Sequence, residues 1–193
     1  MEIDLKRRTV YAKPVKGKVR TTWNGGGGSI HSRILQRMKQ VLEEDIIYSY
    51  LQSGAVKRLY EVRDLARETG ILKTNILPLG GNSYCLLPWL GTVAYRTLER
   101  CLRYVGADLF EIRNVAGLSP YFLTFSTKNS TMIEINSLLK GVIAGTADTE
   151  QLMQEDEAPQ LEKYDEFIPP SLLRKAFRHD YLDLNEVKSA FDF

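Results

Sequence analysis

The chain is predicted to be an α+β protein: an antiparallel or mixed sheet with helices packed on one face, plus a helical C-terminal tail. Three observations carry this. Strand-like and helix-like segments follow the order strand, helix, strand, strand, helix over residues 83–144, as expected of helices layered on one sheet face. Upstream, apolar residues recur at helical spacing in two further stretches. Downstream, Pro159, Pro169 and Pro170 punctuate a region of otherwise helical pattern. The expected division is an α+β domain over 1–147 and an acidic helical tail over 148–193 docking on it.

The opening segment, EIDLKRRTVYAKPVKG, reads as a β-hairpin. Ile3 and Leu5 alternate with charge, a polar turn falls at Lys6–Arg8, and Thr9 to Ala12 resume β-type residues. Entry in mid-strand leads us to expect a sheet that continues upstream of Met1. WNGGGGSIH follows at 23–31. Gly25, Gly26, Gly27 and Gly28 provide backbone free to take positive φ or to let another surface come close. Ser29 is the expected N-cap of a helix over about 30–44, with Ile30, Ile34, Leu35, Met38, Val41 and Leu42 as its apolar positions. Arg33, Arg37 and Gln40 line its polar side.

Tyr48 and Tyr50 mark a hinge or packing segment before a second helix, about 55–69, closed by Gly70. Residues 71–81 read as loop, with a short strand ending at Pro78 and a Gly80–Gly81 turn. Tyr84 to Trp89 reads as an unbroken apolar strand buried on both faces. A helix then runs to Val105, with Ala94, Leu98, Cys101 and Leu102 among its core positions, and Gly106 ends it. Strands at 109–115 and 121–126 precede a helix over 131–144, where Thr131 and Glu134 form a candidate capping box. In the tail, Asp148 caps a short helix to Glu155, a helix follows Pro170, and Asp183 caps a last one over 185–191.

At 193 residues, 44% hydrophobic and 26% charged, the chain has ordinary globular composition. No apolar run approaches the roughly 18 residues of a membrane span, and the basic N-terminus is no signal peptide. Cys85 and Cys101 sit among apolar residues, as buried thiols rather than a disulfide or metal pair. A cytoplasmic protein with no membrane partner is therefore expected. Net charge is only +2, yet residues 1–40 hold ten Lys/Arg against two acids, and residues 148–193 hold five against twelve. This asymmetry points to a polyanion partner for the N-terminal part. The alternative is that the acidic tail folds back and neutralises the basic head.

Catalytic signatures are lacking. No G-x-x-x-x-G-K-[ST] is present, and His31 and His179, the only histidines, have no metal-type spacing. Glu43, Glu44 and Asp45 read as a solvated carboxylate run. We expect no catalytic residue, no metal and no cofactor. A glycine loop feeding a helix N-terminus does suit a phosphate. Lys16, Lys18, Arg20, Arg33 and Arg37 are the candidate phosphate contacts, with Gly25–Gly28 allowing close backbone approach. Trp23 either stacks on a base or anchors the loop, and His31 either caps its helix or meets a phosphate. A flexible glycine-rich connector is the plainer reading of the same stretch.

The hairpin, the W-x-GGGG-x-IH loop with its Arg-bearing helix, the LLPWLGT passage and the KYDEFIPPSLLRKAF tail together resemble the C-terminal accessory region of Lhr-type (large helicase-related) superfamily 2 DEAD/DEAH-box helicases. The resemblance spans Glu2 to about Phe177. It implies a parent enzyme with two RecA-like motor domains, a winged helix and an α+β domain like this one, acting on DNA or RNA strands, as in DNA repair. Both RecA domains and every ATPase motif are missing here. The expectation is a non-catalytic domain that binds single-stranded DNA or RNA and works with helicase motor domains in cis or in trans. A docking module that packs on the motor or a partner without touching a strand is the alternative.

Overall fold

The computed structural model describes residues 2–4, 9–11, 28–128 and 131–191. At the N-terminus, β1 (Glu2–Asp4) and β2 (Thr9–Tyr11) pair antiparallel, Ile3 opposite Val10, as the hairpin pattern predicts.

Helices α1 (Ser32–Glu43) and α2 (Ser53–Thr69) pack against each other. Gly70 closes α2 at φ +66, the left-handed turn that glycine adopts without penalty. The pair is tied by Arg63, which is fully buried on α2. Its Nε and Nη2 donate to the Val41 carbonyl at 2.9 and 2.8 Å, and Nη2 also reaches the Ile46 carbonyl at 3.0 Å. A guanidinium thus satisfies a carbonyl in the last turn of α1. Apolar burial here is thin. Leu35 is buried, but Ile34 and Met38 are 54% and 44% exposed, so the apolar stripe expected on α1 is only partly covered.

A short helix, α3 (Ile71–Thr74), and strand β3 (Ile76–Gly80) replace most of the loop expected at 71–81. Strand β4 covers Ser83–Leu86 only, with Tyr84 and Leu86 buried and Ser83 and Cys85 half-buried. This corrects the reading of an unbroken strand buried on both faces: the pattern alternates. Helix α4 (Thr92–Arg103) is followed by a separate α5 (Val105–Phe110), and Gly106 lies inside α5 rather than ending α4. A Cβ there would stand 2.9 Å from the Ile112 side chain, so close packing explains this glycine.

Strands β5 (Arg113–Leu118) and β6 (Phe122–Ser126) complete a four-stranded antiparallel sheet of order β3-β4-β6-β5. Tyr84 stacks on Phe125 across β4 and β6 at 5.8 Å between centroids. On one face, Tyr84, Leu86, Leu123 and Phe125 meet Leu98, Cys101 and Leu102 of α4 and Ile135, Leu139 and Val142 of α6 (Met132–Gly145). The α+β class is therefore observed. Thr131 and Glu134 make the expected capping box.

Beyond a 3₁₀ turn at Glu150–Leu152, α7 (Pro170–Asp180) and α8 (Leu184–Phe191) carry Phe177, Leu184 and Val187 into the same core. Asp183 Oδ1 accepts from Glu186 N at 2.8 Å, as its capping role predicts. The tail is latched by Arg100 of α4, which donates to the Leu152 carbonyl at 2.7 Å and grips Glu157 through two bonds of 2.9 and 2.5 Å. The hydrogen bonds from Arg100 hold the Glu157 carboxyl below its ordinary 4.5. A depressed folded-state value means the latch stabilises fully above the unfolded value and is lost as pH falls through the folded one. The melting temperatures of wild type and Glu157→Gln should differ at pH 7, and the gap should shrink as pH falls below the ordinary 4.5, as followed by circular dichroism. A gap that does not narrow on acidification would contradict this.

Candidate nucleic-acid interface

Of the residues singled out from the sequence, Lys16, Lys18, Arg20, Trp23, Gly25, Gly26 and Gly27 lie outside the described residues. Gly28, His31, Arg33 and Arg37 are described. Gly28 is exposed with open space about it, and its φ is not left-handed. Among the described residues of this region, close backbone approach is found at Gly91, against residues 30–32.

Residues 30–32 are spliced onto the start of α4. Ile30 N donates to Thr92 Oγ1 at 2.9 Å, and Thr92 N returns a bond to the Ile30 carbonyl at 2.9 Å. Gly91 N donates to Ser32 Oγ at 2.6 Å. A Cβ on Gly91 would lie 2.5 Å from Ser32 N and 2.9 Å from the His31 carbonyl carbon, nearer still to the Ile30 oxygen. The W-x-GGGG-x-IH and LLPWLGT stretches, some sixty residues apart, are thus joined at one seam.

The seam explains a second correction. Ile30 is tied to Thr92 and His31 is extended, at φ −76 and ψ 144, so the N-cap of α1 is His31, not Ser29. His31 Nδ1 accepts from Arg33 N at 3.1 Å, and the His31 carbonyl accepts from Ile34 N. Two of the N–H groups expected to face a phosphate are met by His31 itself. Arg33, one residue on, is exposed, and among the described residues it has no ion-pair partner. Arg37 is committed elsewhere. It donates to Glu44 at 2.6 Å, to Gln40 at 3.2 Å and to the Tyr48 hydroxyl at 2.8 Å. Those hydrogen bonds, Arg37 first and then Tyr48, hold the Glu44 carboxyl below its ordinary value. Arg37 therefore closes the α1–α2 connection rather than standing open beside Arg33. The carboxylate run is likewise engaged, since Asp45 pairs with Arg67.

Asn75 was missed. It sits at φ +56 after α3, a conformation that asparagine tolerates better than most residues. Its Oδ1 accepts from Lys39 Nζ at 3.2 Å and from Trp89 Nε1 at 3.0 Å, and its carbonyl accepts from Leu87 N at 2.8 Å. Trp89 also lies at φ +56, which ends β4 and turns the chain into α4. An asparagine directly after a helix was the available signal for a left-handed cap, but what it would bind was non-local.

Chain, family models, curated proteins and solved structures were compared. None matches. The chemistry of this region is therefore read from its own residues. Beside Asn75 opens a cleft of about 340 Å³, with Lys73, Thr74, Asn75, Asn136 and Lys140 on its walls and Ile76, Leu86 and Phe191 beneath. No carboxylate among the described residues lines it. Lys39, which donates to Asn75 Oδ1, also pairs with Glu43 at 4.0 Å. Two carboxylates of the described tail are engaged within the protein. Glu150 pairs with Arg174 and Arg178, and Glu157 with Arg100. Among the described residues no cluster of His, Cys, Asp and Glu could hold a metal ion, and no helix is long and apolar enough to cross a membrane.

Proposed function

We propose that this chain is a non-catalytic accessory domain that binds single-stranded DNA or RNA and works beside an ATP-driven superfamily 2 motor in the cytoplasm. The observation that carries the reading is the cleft beside Asn75, lined by Lys73, Asn136 and Lys140, where no carboxylate stands among the described lining residues. Its cationic walls suit phosphate oxygens, and its floor of Leu86 and Phe191 suits the apolar face of a base. The engagement of tail acids with Arg100, Arg174 and Arg178 supports the same reading.

Fluorescence anisotropy with a labelled single strand at several salt concentrations tests it. Affinity should fall with salt at a log–log slope of about −0.7 per phosphate neutralised. Arg33→Glu and Lys73→Glu should each weaken binding about 5- to 10-fold at low salt and flatten the slope by about one contact. Arg37 is not a suitable target, because its loss would open the α1–α2 connection. Salt-independent binding, or binding unchanged in both variants, would overturn the proposal. A second reading, a docking module, is favoured by Ile46, Ile47, Val62 and Leu65, which stand exposed along the α1–α2 pair beside Ile34 and Met38. Absence of any strand binding by wild type at low salt would select it.

A further inference from the structure

Three arginines follow one side of α4, at positions 96, 100 and 103. Two have anions. Arg100 holds Glu157, and Arg103 takes Glu99 through bonds of 3.0 and 2.8 Å. Arg96 has none among the described residues. Its guanidinium lies 5.2 Å from the Tyr181 ring centroid and 5.8 Å from that of Phe177. Its Nη1 is buried with no hydrogen-bond partner. Ring faces return part of what a guanidinium loses on leaving water, but a buried N–H without an acceptor is unfavourable. Burial first, and then the neighbouring Arg100 charge, hold this guanidinium below its ordinary value, against the opposite pull of Tyr181 and Glu99.

Arg96 lines a cleft of about 420 Å³ between α4, residues 157–161 and α7. Pro159, Leu161 and Phe177 also line a second groove of about 380 Å³, whose walls include Ile168, Leu172 and Ala176. Sharing these three residues, the two adjoin as a trough. Leu161 and Leu172, at 48% and 55% exposed, leave its apolar end open to solvent. Glu162, Asp165 and Asp180 rim that far end. Glu99 and Glu157 also line the Arg96 end but are paired with Arg103 and Arg100, so that end holds three guanidiniums against two carboxylates, while the second groove combines an open apolar wall with the negative charge of Glu162, Asp165 and Asp180.

We propose that this trough binds a small amphipathic monocarboxylate, its carboxylate on Arg96 and its hydrocarbon body along Leu161, Ile168 and Leu172. The site is separate from the cleft at Lys73 and Lys140, and it stands or falls without strand binding. Sodium octanoate is the probe, titrated into the full chain by isothermal calorimetry, with octylamine and the eight-carbon dicarboxylate suberate as controls. Octanoate should bind wild type while both controls bind at least about 10-fold more weakly, because one meets Arg96 with a like charge and the other meets the acidic rim. Arg96→Gln should weaken octanoate about 10-fold or more, and Arg96→Lys should keep part of the affinity. Leu161→Asp alters the exposed wall without touching Arg96, so it decides the matter if Arg96→Gln fails to fold. It should also lose octanoate while keeping the wild-type far-ultraviolet spectrum. Octanoate binding that is undetectable at about 1 mM, equalled by octylamine, or unaltered in the folded variants would overturn the proposal.

Discussion

Replacing Gly91 by alanine should cost about 2–3 kcal/mol, the usual penalty for forcing atoms into a filled space. That corresponds to about 5–10 °C in Tm for a chain of this size. The φ of −70 at Gly91 is open to alanine, so the backbone itself is not the obstacle. The obstacle is the segment packed upon it. A methyl group there would collide with the Ile30 oxygen and with Ser32 N. Either Ser32 Oγ gives up the Gly91 amide, or Ile30 and Thr92 release each other. Hydrogen exchange distinguishes this from general weakening. The Thr92 amide, which donates to Ile30, should lose protection before the amides of α6 do. An unchanged Tm with Thr92 still protected would refute the account.

Arg63→Ala should cost about 3 kcal/mol or more, combining a cavity with the loss of three charge-assisted hydrogen bonds. Arg63→Met keeps the bulk and removes the charge, and should cost about half as much, since it leaves the Val41 carbonyl unmet but relieves a buried guanidinium. Urea unfolding measures both. The location of the effect is the sharper test. The carbonyls concerned belong to Val41 and Ile46, so exchange should quicken in α1 and at the start of α2 while α4 and α6 stay protected. Equal quickening throughout the chain, or none, would show that Arg63 is not the tie between the two helices.

What could be read in the sequence was local. The capping box at Thr131 and Glu134, the left-handed stop at Gly70 and the cap at Asp183 depend on residues within one turn, and all three are found. The errors came where a distant partner overrode a local preference. Ser29 is a good capping residue, but Thr92 ties Ile30 down and the helix starts after an extended His31. Gly106 resembles a helix stop, but its missing Cβ makes room for Ile112. Tyr84 to Trp89 has strand composition throughout, yet Trp89 turns left-handed to reach Asn75 and the strand ends at Leu86.

The candidate site shows the same division. Arg33 and Arg37 were expected to act together because they share a helix face. The structure separates them, since the acceptor set formed by Gln40, Glu44 and Tyr48 takes the second and leaves the first. Lys73 and Asn75 stand together at the end of α3, but Lys140 comes from α6, and no sequence spacing relates it to them. The two stretches that form the seam were both visible as motifs, but only the fold shows that they touch.

The distribution of apolar burial has one more consequence. In the first three helices only Leu35, Ala66 and Ile71 are buried apolar residues, and none of them joins the large cluster beneath the sheet. What fastens α1 and α2 to the rest is chiefly polar: Thr92 to Ile30, Ser32 to Gly91, Lys39 to Asn75. Water competes for such bonds far better than for a sealed core. The amino-terminal helices can therefore breathe on a rigid platform, lifting and reseating many times while the sheet beneath them stays intact.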